Sequence, residues 1–214
     1  MIRVLIGDDH RIVREGIKQV LAEAPGVRVV AEAQNGDEVL ERVGALAADG
    51  LDVVLLDVAM PGRDGLDVLQ ALRRTYPALP VLMLSTYPER QYAVRCLRLG
   101  AAGYLNKGAD ADDMIAAVIR VAAGRRWVPP EVAEALAAAA GGATATDGTA
   151  ALSHREHQVY RLLTEGLTVT EIGARLGLAP NTVSTYRARI LEKTGTRNDV
   201  ELARYAERRA RDAR

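Results

Sequence analysis

The chain has 214 residues and equal numbers of cationic and anionic side chains, 28 Lys and Arg against 28 Asp and Glu. This length allows one large or two small domains, each able to bury a core. The single cysteine, Cys96, excludes an internal disulfide and a cysteine-rich zinc site, and the lack of a signal peptide or of an apolar run of about 18 residues predicts a cytoplasmic protein without membrane contact.

The charges are unevenly distributed along the chain. Residues 151–214 hold 12 Lys and Arg against 8 Asp and Glu, a net charge of +4, which leaves 16 against 20, or −4, for the rest. Such a basic excess favours a polyanionic partner, although it is also common on surfaces that bind nothing. Residues 133–151 are nearly all Ala, Gly and Thr and cannot pack a core. We therefore predict a domain over 1–125, a linker with a short helix over 126–150, and a second domain over 151–214.

The first part alternates strand-like and helical segments. Five apolar segments are predicted as strands, over 2–7, 27–33, 52–57, 80–85 and 102–106. Between them, apolar residues recur three and four positions apart, as they do in amphipathic helices. This alternation predicts an α/β fold with a doubly wound, five-stranded parallel sheet covered on both faces. In such folds the functional site lies at the carboxyl ends of the strands.

Polar side chains follow or end four of the predicted strands. Asp8 and Asp9 follow the first, Asp57 ends the third, Ser85 ends the fourth, and Lys107 follows the fifth. Each alone has an ordinary explanation as a helix cap, a turn residue or a solvated group, but together they predict one site. Crowded carboxylates repel one another unless they share a divalent cation, and oxygen ligands suit Mg²⁺. The residue types therefore predict a magnesium site where Asp57 accepts a phosphoryl group, with Lys107 and Ser85 binding its oxygens.

The motifs of this part resemble the receiver domain of bacterial two-component response regulators. The matching stretches are DDH (8–10), LLDVAMPGRDG (55–65), LMLS (82–85) and GAAGYLNKG (100–108). The resemblance implies that a sensor histidine kinase phosphorylates Asp57. The implied magnesium ligands are Asp9, Asp57 and the backbone carbonyl of Ala59, with Asp8 acting through water. The implied switch residues are Ser85, Tyr104 and Lys107.

The second part has the pattern of helices joined by short turns. Ser153 and Glu156 form the capping box of a first helix, TVTEIGARLG follows as a short second helix, and a third and a fourth helix come after it. Two helices around a short glycine-containing turn form a helix-turn-helix. On the third helix, Val183, Ile190 and Thr194 share the side that faces the core. The other side suits a DNA major groove and, on spacing alone, equally well a solvated surface.

Residues 152–208 are similar to the LuxR-type helix-turn-helix of the NarL/FixJ class, through LSHRE, EGLTVTEIGARLGLAPNTVSTY and LEKTG. This resemblance implies a transcription regulator that binds paired half-sites in double-stranded DNA. Phosphorylation is expected to promote homodimerisation, to release the DNA-binding domain, or both. The expected DNA-contacting residues are Thr182, Ser184, Thr185, Arg187, Arg189 and Lys193. There are two departures from the class, Arg187 in place of an aliphatic residue and threonines on both sides of Gly195. They predict that the Arg187 side chain extends to a phosphate and that the last two helices pack more loosely.

Two other functions compete with this one. Phosphatases of the haloacid dehalogenase class also use a strand-end aspartate, but they need a second aspartate two residues further on, where this chain has Ala59. A receiver joined to a protein-interaction module would share the first domain and differ in the second. We therefore expect no enzyme activity beyond Mg²⁺-dependent self-phosphorylation and self-dephosphorylation.

Overall fold

The computed structural model describes residues 1–46, 50–85, 90–130, 132–134 and 152–212. The chain divides into two compact units, Met1–Ala143 and Thr144–Arg214. Of the helix expected in the linker, the structure describes only residues 130 and 132–134, which are helical. The rest of that helix and most of the linker lie outside the described residues, and the domain limits expected from the sequence stay a prediction.

Strands and helices alternate in the described residues of the first unit. The strands are β1 (Ile2–Gly7), β2 (Val27–Ala33), β3 (Val53–Asp57), β4 (Val81–Ser85) and β5 (Gly103–Asn106). The helices are α1 (Arg11–Ala22), α2 (Gly36–Leu46), α3 (Gly65–Thr75), α4 (Arg90–Arg98) and α5 (Ala111–Ala122). Each strand begins no more than one residue from its predicted start, because an aliphatic run between turn residues marks a buried strand clearly.

The five strands form one parallel sheet in the order β2-β1-β3-β4-β5. β3 lies at its centre, with β1 on one side and β4 on the other. Val54 and Leu56 pack into the core on one face, and Val53 and Leu55 pack into the core on the opposite face. Burial on both faces explains why β3 is a continuous aliphatic run. The strand order reverses beside β1, and that reversal places a crevice at the carboxyl ends of β1 and β3.

The chain returns to the sheet after α5 through residues 125–128, here called the edge segment. The backbone N–H of Trp127 donates to the carbonyl of Ala102 (3.0 Å), and the N–H of Tyr104 donates to the carbonyl of Trp127 (3.2 Å). Further along, Val132 is 3% exposed and packs into one of the two cores. The edge segment therefore pairs with the outer side of β5, an arrangement that the sequence analysis did not anticipate.

The described part of the second unit is helical. Its helices are α6 (His154–Thr164), α7 (Val169–Leu176), α8 (Pro180–Thr194) and α9 (Asp199–Asp212). Capping boxes begin α6 and α7. As predicted, Val183 and Ile190 of α8 are fully buried, and they pack with Ile172 of α7. Among the described helices, none has the combination of length and apolar character that a membrane span requires.

A close backbone contact fixes the turn between α7 and α8. A Cβ atom on Gly173 would lie 2.7 Å from the carbonyl oxygen of Leu178. Only glycine allows α7 to approach the following turn this closely. The glycine in TEIGARLG is therefore explained by the packing of the helix-turn-helix.

Candidate functional site

The carboxyl ends of β1 and β3 bring three acids together. Asp8 is fully buried, Asp57 is 2% exposed, and Asp9 is half-buried. One oxygen from each carboxylate and a ring nitrogen of His10 all lie within 4.8 Å of one another. We call Asp8, Asp9 and Asp57 the acid pocket. These are the three acids that the sequence analysis placed together at the carboxyl ends of the strands.

Lys107 reaches the acid pocket from the carboxyl end of β5. Its Nζ lies 2.6 Å from Oδ2 of Asp8 and 2.8 Å from Oδ2 of Asp57. The main chain sets this position, because the N–H of Lys107 donates to the carbonyl of Ser85 at 2.7 Å. Ser85 ends β4 and Tyr104 lies in β5, and both are buried. The structure thus places Lys107 against the acids, whereas it shows Ser85 and Tyr104 as buried residues of β4 and β5.

The acid pocket carries more negative charge than Lys107 can neutralise. Burial raises the pKa of Asp57 from 3.8 to about 6, against the opposing effects of Lys107 and of the Ala59 N–H, while Asp8 raises it further. Burial also disfavours the charged form of Lys107, but the facing carboxylates outweigh this effect and raise its pKa. Lys107 is therefore protonated and Asp57 is destabilised as an anion, so the pocket favours an additional cation.

The oxygens of the acid pocket are available to such a cation. Oδ2 of Asp8, Oδ1 of Asp9 and Oδ2 of Asp57 are buried, and none accepts a hydrogen bond of good geometry from the described residues. Two of these oxygens, Oδ2 of Asp8 and Oδ2 of Asp57, are also the ones that Lys107 contacts, so a divalent cation would share them with the ammonium group or displace it. Carboxylate oxygens are the ligands that hard divalent cations prefer. The donor set fits Mg²⁺, as the sequence predicted.

Neighbouring residues hold the two strand ends in place. Arg14 of α1 is 6% exposed and donates to the carbonyl of Asp8 (2.8 Å) and to the carboxylate of Glu32 (3.2 Å). On the other side, a Cβ atom on Gly65 would lie 2.0 Å from the carbonyl oxygen of Asp57. Glycine at this position therefore lets α3 begin directly against the end of β3.

The sequence analysis did not identify Arg14, Glu32 or His10 as site residues. Arg14 and Glu32 come from different elements, and no local pattern links them. For His10 the only signal was its place directly after the two aspartates in DDH.

All six residues expected to contact DNA lie on α8, but their surroundings differ. Thr182, Ser184, Thr185 and Arg189 are exposed. The hydroxyl of Thr185 donates to the carbonyl of Asn181 at 3.0 Å, so its proton is already engaged. Arg189 makes no ion pair with the residues that the structure describes. Among the six, Arg189 is thus a cation available to an external anion.

The two other cations of this set have partners within the second unit. Nε of Arg187 lies 2.8 Å from Oδ1 of Asp199 at the start of α9. Nζ of Lys193 lies 2.6 Å from Oε2 of Glu156, which is 2% exposed and also accepts the Ser153 N–H at 2.6 Å. These two cations therefore contribute to the packing of α8 against α9 and α6.

The threonines around Gly195 satisfy their own hydroxyl groups. Thr194 donates to the carbonyl of Ile190 at 2.7 Å and lies 2.9 Å from the Thr196 hydroxyl. Both threonines are half-buried. The hydroxyl pair thus occupies the turn after α8, where the sequence analysis predicted looser packing.

Comparison with protein families gives two matches along the chain. Residues 4–119 match the response regulator receiver domain, and residues 150–206 match the family of bacterial regulatory proteins called the luxR family. The first match contains the whole acid pocket and Lys107, and the second contains α6 to α8. The second match favours DNA over a protein-interaction partner for the second unit.

Individual proteins match over almost the whole length. The response regulator GacA of Pseudomonas viridiflava is 40% identical over 209 residues, which are 97% of this chain and 96% of GacA. UvrY of Escherichia coli is 35% identical over 207 residues, which are 96% of this chain and 94% of UvrY.

Solved structures give the same result. RcsB of Salmonella typhimurium aligns with a TM-score of 0.58 and 28% identity over 96% of this chain and 98% of that protein. RcsB has also been solved as a complex with DNA, with the same TM-score, identity and coverage. From the two family matches and these relatives, the chain belongs to the DNA-binding response regulators, in which a receiver domain is joined to a LuxR-family helix-turn-helix domain.

Proposed function

We propose that this chain regulates transcription when a sensor histidine kinase transfers a phosphoryl group to Asp57. The observation that carries the proposal is the buried contact of one ammonium with two carboxylates, Lys107 with Asp8 and Asp57, at 2.6 and 2.8 Å. This arrangement lies at the strand ends where doubly wound sheets place their sites. Self-phosphorylation and self-dephosphorylation that depend on Mg²⁺ are the only chemistry we propose for the chain.

The transfer exchanges one bond to phosphorus for another. A carboxylate oxygen of Asp57 forms a bond to phosphorus while the bond from phosphorus to the kinase imidazole nitrogen breaks, and that nitrogen takes back the electron pair. The N–H of Ala59 donates to Oδ1 of Asp57 at 3.2 Å and helps to orient the nucleophile. Lys107 would then exchange its contact with Asp57 for the phosphoryl oxygens, which carry more charge.

The acid pocket would hold Mg²⁺ through Asp9, Asp57 and the carbonyl of Ala59, with Asp8 acting through water. The half-buried Asp9 leaves one side of the pocket open, which suits an ion that keeps several waters. A bound Mg²⁺ would neutralise negative charge on the phosphoryl oxygens. Ser85 would donate a hydrogen bond to the same oxygens. Tyr104 in the next strand would respond to the resulting shift of Ser85.

The second unit would bind DNA through α8. Thr182, Ser184 and Thr185 stand near its start, where short side chains allow close approach to base edges, and Arg189 would bind a phosphate. Because Arg187 and Lys193 are paired within the unit, they would reach phosphates only by giving up those partners. DNA binding by paired copies would place two α8 helices about one turn of DNA apart.

The acceptor residue is tested by phosphorylation with labelled acetyl phosphate and Mg²⁺. Asp57→Asn should abolish labelling, because the amide is not a nucleophile and loses a metal ligand. Asp112→Asn, an exposed aspartate at the start of α5, is the matched control and should be labelled like the original chain. Undiminished labelling of Asp57→Asn would place the acceptor elsewhere, with Asp8 and Asp9 the next residues to test.

Release of the DNA-binding domain and dimerisation can be separated with a fragment of residues 149–214. The charges of +4 and −4 on the two parts of the chain favour mutual restraint before phosphorylation. If release matters, the fragment should bind DNA more tightly than the unphosphorylated full chain in fluorescence anisotropy at two salt concentrations. If it binds no more tightly, activation must come from dimerisation.

A further inference from the structure

His10 occupies a helix position for which histidine is an unusual choice. It is the N-cap of α1, with extended backbone, and its side chain makes no capping hydrogen bond. Ser, Thr, Asp and Asn are preferred at this position because their oxygens accept from the N–H groups of the first turn. Capping of α1 therefore does not explain the position of the His10 side chain.

The imidazole of His10 lies against the acid pocket. Its Nδ1 is 2.7 Å from Oδ1 of Asp9 and 3.4 Å from Oδ1 of Asp8. The nearer oxygen is buried and accepts no hydrogen bond of good geometry from the described part of the chain. Lys107 contacts the other oxygen of Asp8, so His10 and Lys107 approach the pocket through different oxygens. Nδ1 of His10 and the carboxylate oxygens of Asp8 and Asp9 thus lie close together, apart from the Asp8 oxygen that Lys107 contacts.

These distances suit ligands that share one ion. With bonds of about 2.1 Å, adjacent ligands of an octahedral ion lie about 3.0 Å apart and opposite ligands about 4.2 Å apart. The two distances from Nδ1 lie on either side of the first value. The donor atoms of His10 and the three acids lie within 4.8 Å of one another, close to the second value. Small side-chain rotations would bring all four around a single ion, and the imidazole is free to rotate because the His10 side chain is 65% exposed.

We propose that His10 is a nitrogen ligand of the acid pocket and gives it a preference for a borderline divalent cation over Mg²⁺. Imidazole suits ions such as Fe²⁺, Co²⁺, Ni²⁺ and Zn²⁺, whereas Mg²⁺ takes oxygen ligands and keeps its waters. Mg²⁺ would bind through the carboxylates alone, while a borderline ion would gain His10 as an additional ligand. The inference rests on the proposed function, since it concerns the same metal pocket.

The test compares Co²⁺ and Mg²⁺ binding to the full chain without an affinity tag, by isothermal titration calorimetry. His10→Asn should weaken Co²⁺ binding about tenfold or more, the size of effect known for groups around a bound metal. It should change Mg²⁺ binding less than about twofold, because Mg²⁺ does not use the nitrogen. His154→Asn, the same change in the second unit, should leave both affinities unchanged. The visible absorption of bound Co²⁺ should also shift in His10→Asn, because a nitrogen ligand is lost.

Other results would overturn the inference. Equal losses for both ions in His10→Asn would show that His10 only positions Asp9, and unchanged Co²⁺ affinity would show that it is no ligand. Asp57→Asn tests the pocket separately and should weaken both ions. If neither ion binds the original chain, or if Asp57→Asn binds both undiminished, the metal pocket of the proposed function itself is wrong.

Discussion

Replacing Asp57 with asparagine should stabilise the first unit at neutral pH when no divalent cation is present. The pKa of Asp57 rises from 3.8 to about 6 in the folded protein. A raised acid pKa means that the folded unit holds the proton more tightly than the unfolded chain does. Ionisation therefore costs stability as the pH rises above 3.8, and the cost is complete above about 6. Asparagine has nearly the same shape and never ionises, so it avoids this cost.

The pKa change sets the size of the effect. At pH 7.5 the cost of ionising Asp57 is about 3 kcal/mol, and at pH 4.5 it is about 1 kcal/mol. The attraction of Lys107 is already contained in the pKa of about 6. The free energy of unfolding of Asp57→Asn should thus exceed that of the original chain by up to about 3 kcal/mol at pH 7.5, and the gain should shrink towards low pH.

Urea unfolding followed by tryptophan fluorescence measures this difference. Trp127 is the only tryptophan of the chain, and it is half-buried in the edge segment, so its emission reports on the first unit. The measurement is made at both pH values in the presence of a chelator that removes divalent cations, with Asp112→Asn as the exposed control. Adding Mg²⁺ should then stabilise the original chain more than Asp57→Asn, because the variant has lost a ligand. A gain that is absent, independent of pH, or equal in the control would refute the argument that Asp57 is a destabilised anion.

Four further substitutions test other contacts. Arg189→Ala should weaken binding to all DNA sequences and reduce by about one unit the slope of the logarithm of the binding constant against the logarithm of the salt concentration. Arg187→Ala should leave this slope nearly unchanged, because its side chain is paired with Asp199. Fluorescence anisotropy at several salt concentrations compares the two variants. Glu156→Gln should lower the free energy of unfolding of the second unit by about 1–3 kcal/mol, since a buried carboxylate loses its charge-assisted contacts, and unfolding followed by circular dichroism would contradict this if the transition did not move. Gly65→Ala should destabilise the first unit by about 2 kcal/mol or more, because the new methyl group would overlap a backbone carbonyl; Trp127 fluorescence in urea checks it, and an unchanged midpoint would show that α3 can move aside.

The sequence predicted the fold and the acid pocket because both depend on local patterns. Each aliphatic run marked a buried strand, and parallel strands bring their carboxyl ends to one edge of the sheet. Asp8, Asp57 and Lys107, which are far apart in the chain, could therefore be placed together without coordinates. Val183 and Ile190 followed in the same way from helical periodicity.

Contacts between elements were not predictable, because they depend on side-chain direction. Arg14 would be expected on the solvent side of α1, yet it is buried between the backbone of Asp8 and Glu32. Lys193 was expected to meet a phosphate, but Glu156, 37 residues earlier, lies 2.6 Å from its ammonium. No spacing rule links residues so far apart, and charge alone does not tell an external partner from an internal one.

The edge segment affects how this receiver can be shortened. β5 is the last strand of the sheet, and an open strand edge offers its unpaired N–H and C=O groups to any other extended chain. Trp127 occupies part of that edge, and Val132 packs into one of the two cores. A receiver fragment that ended at residue 119, where the family match ends, would lose both. Such a fragment would expose β5 to pairing with a second copy, so self-association of a short receiver would reflect the cut edge rather than the homodimerisation proposed to follow phosphorylation.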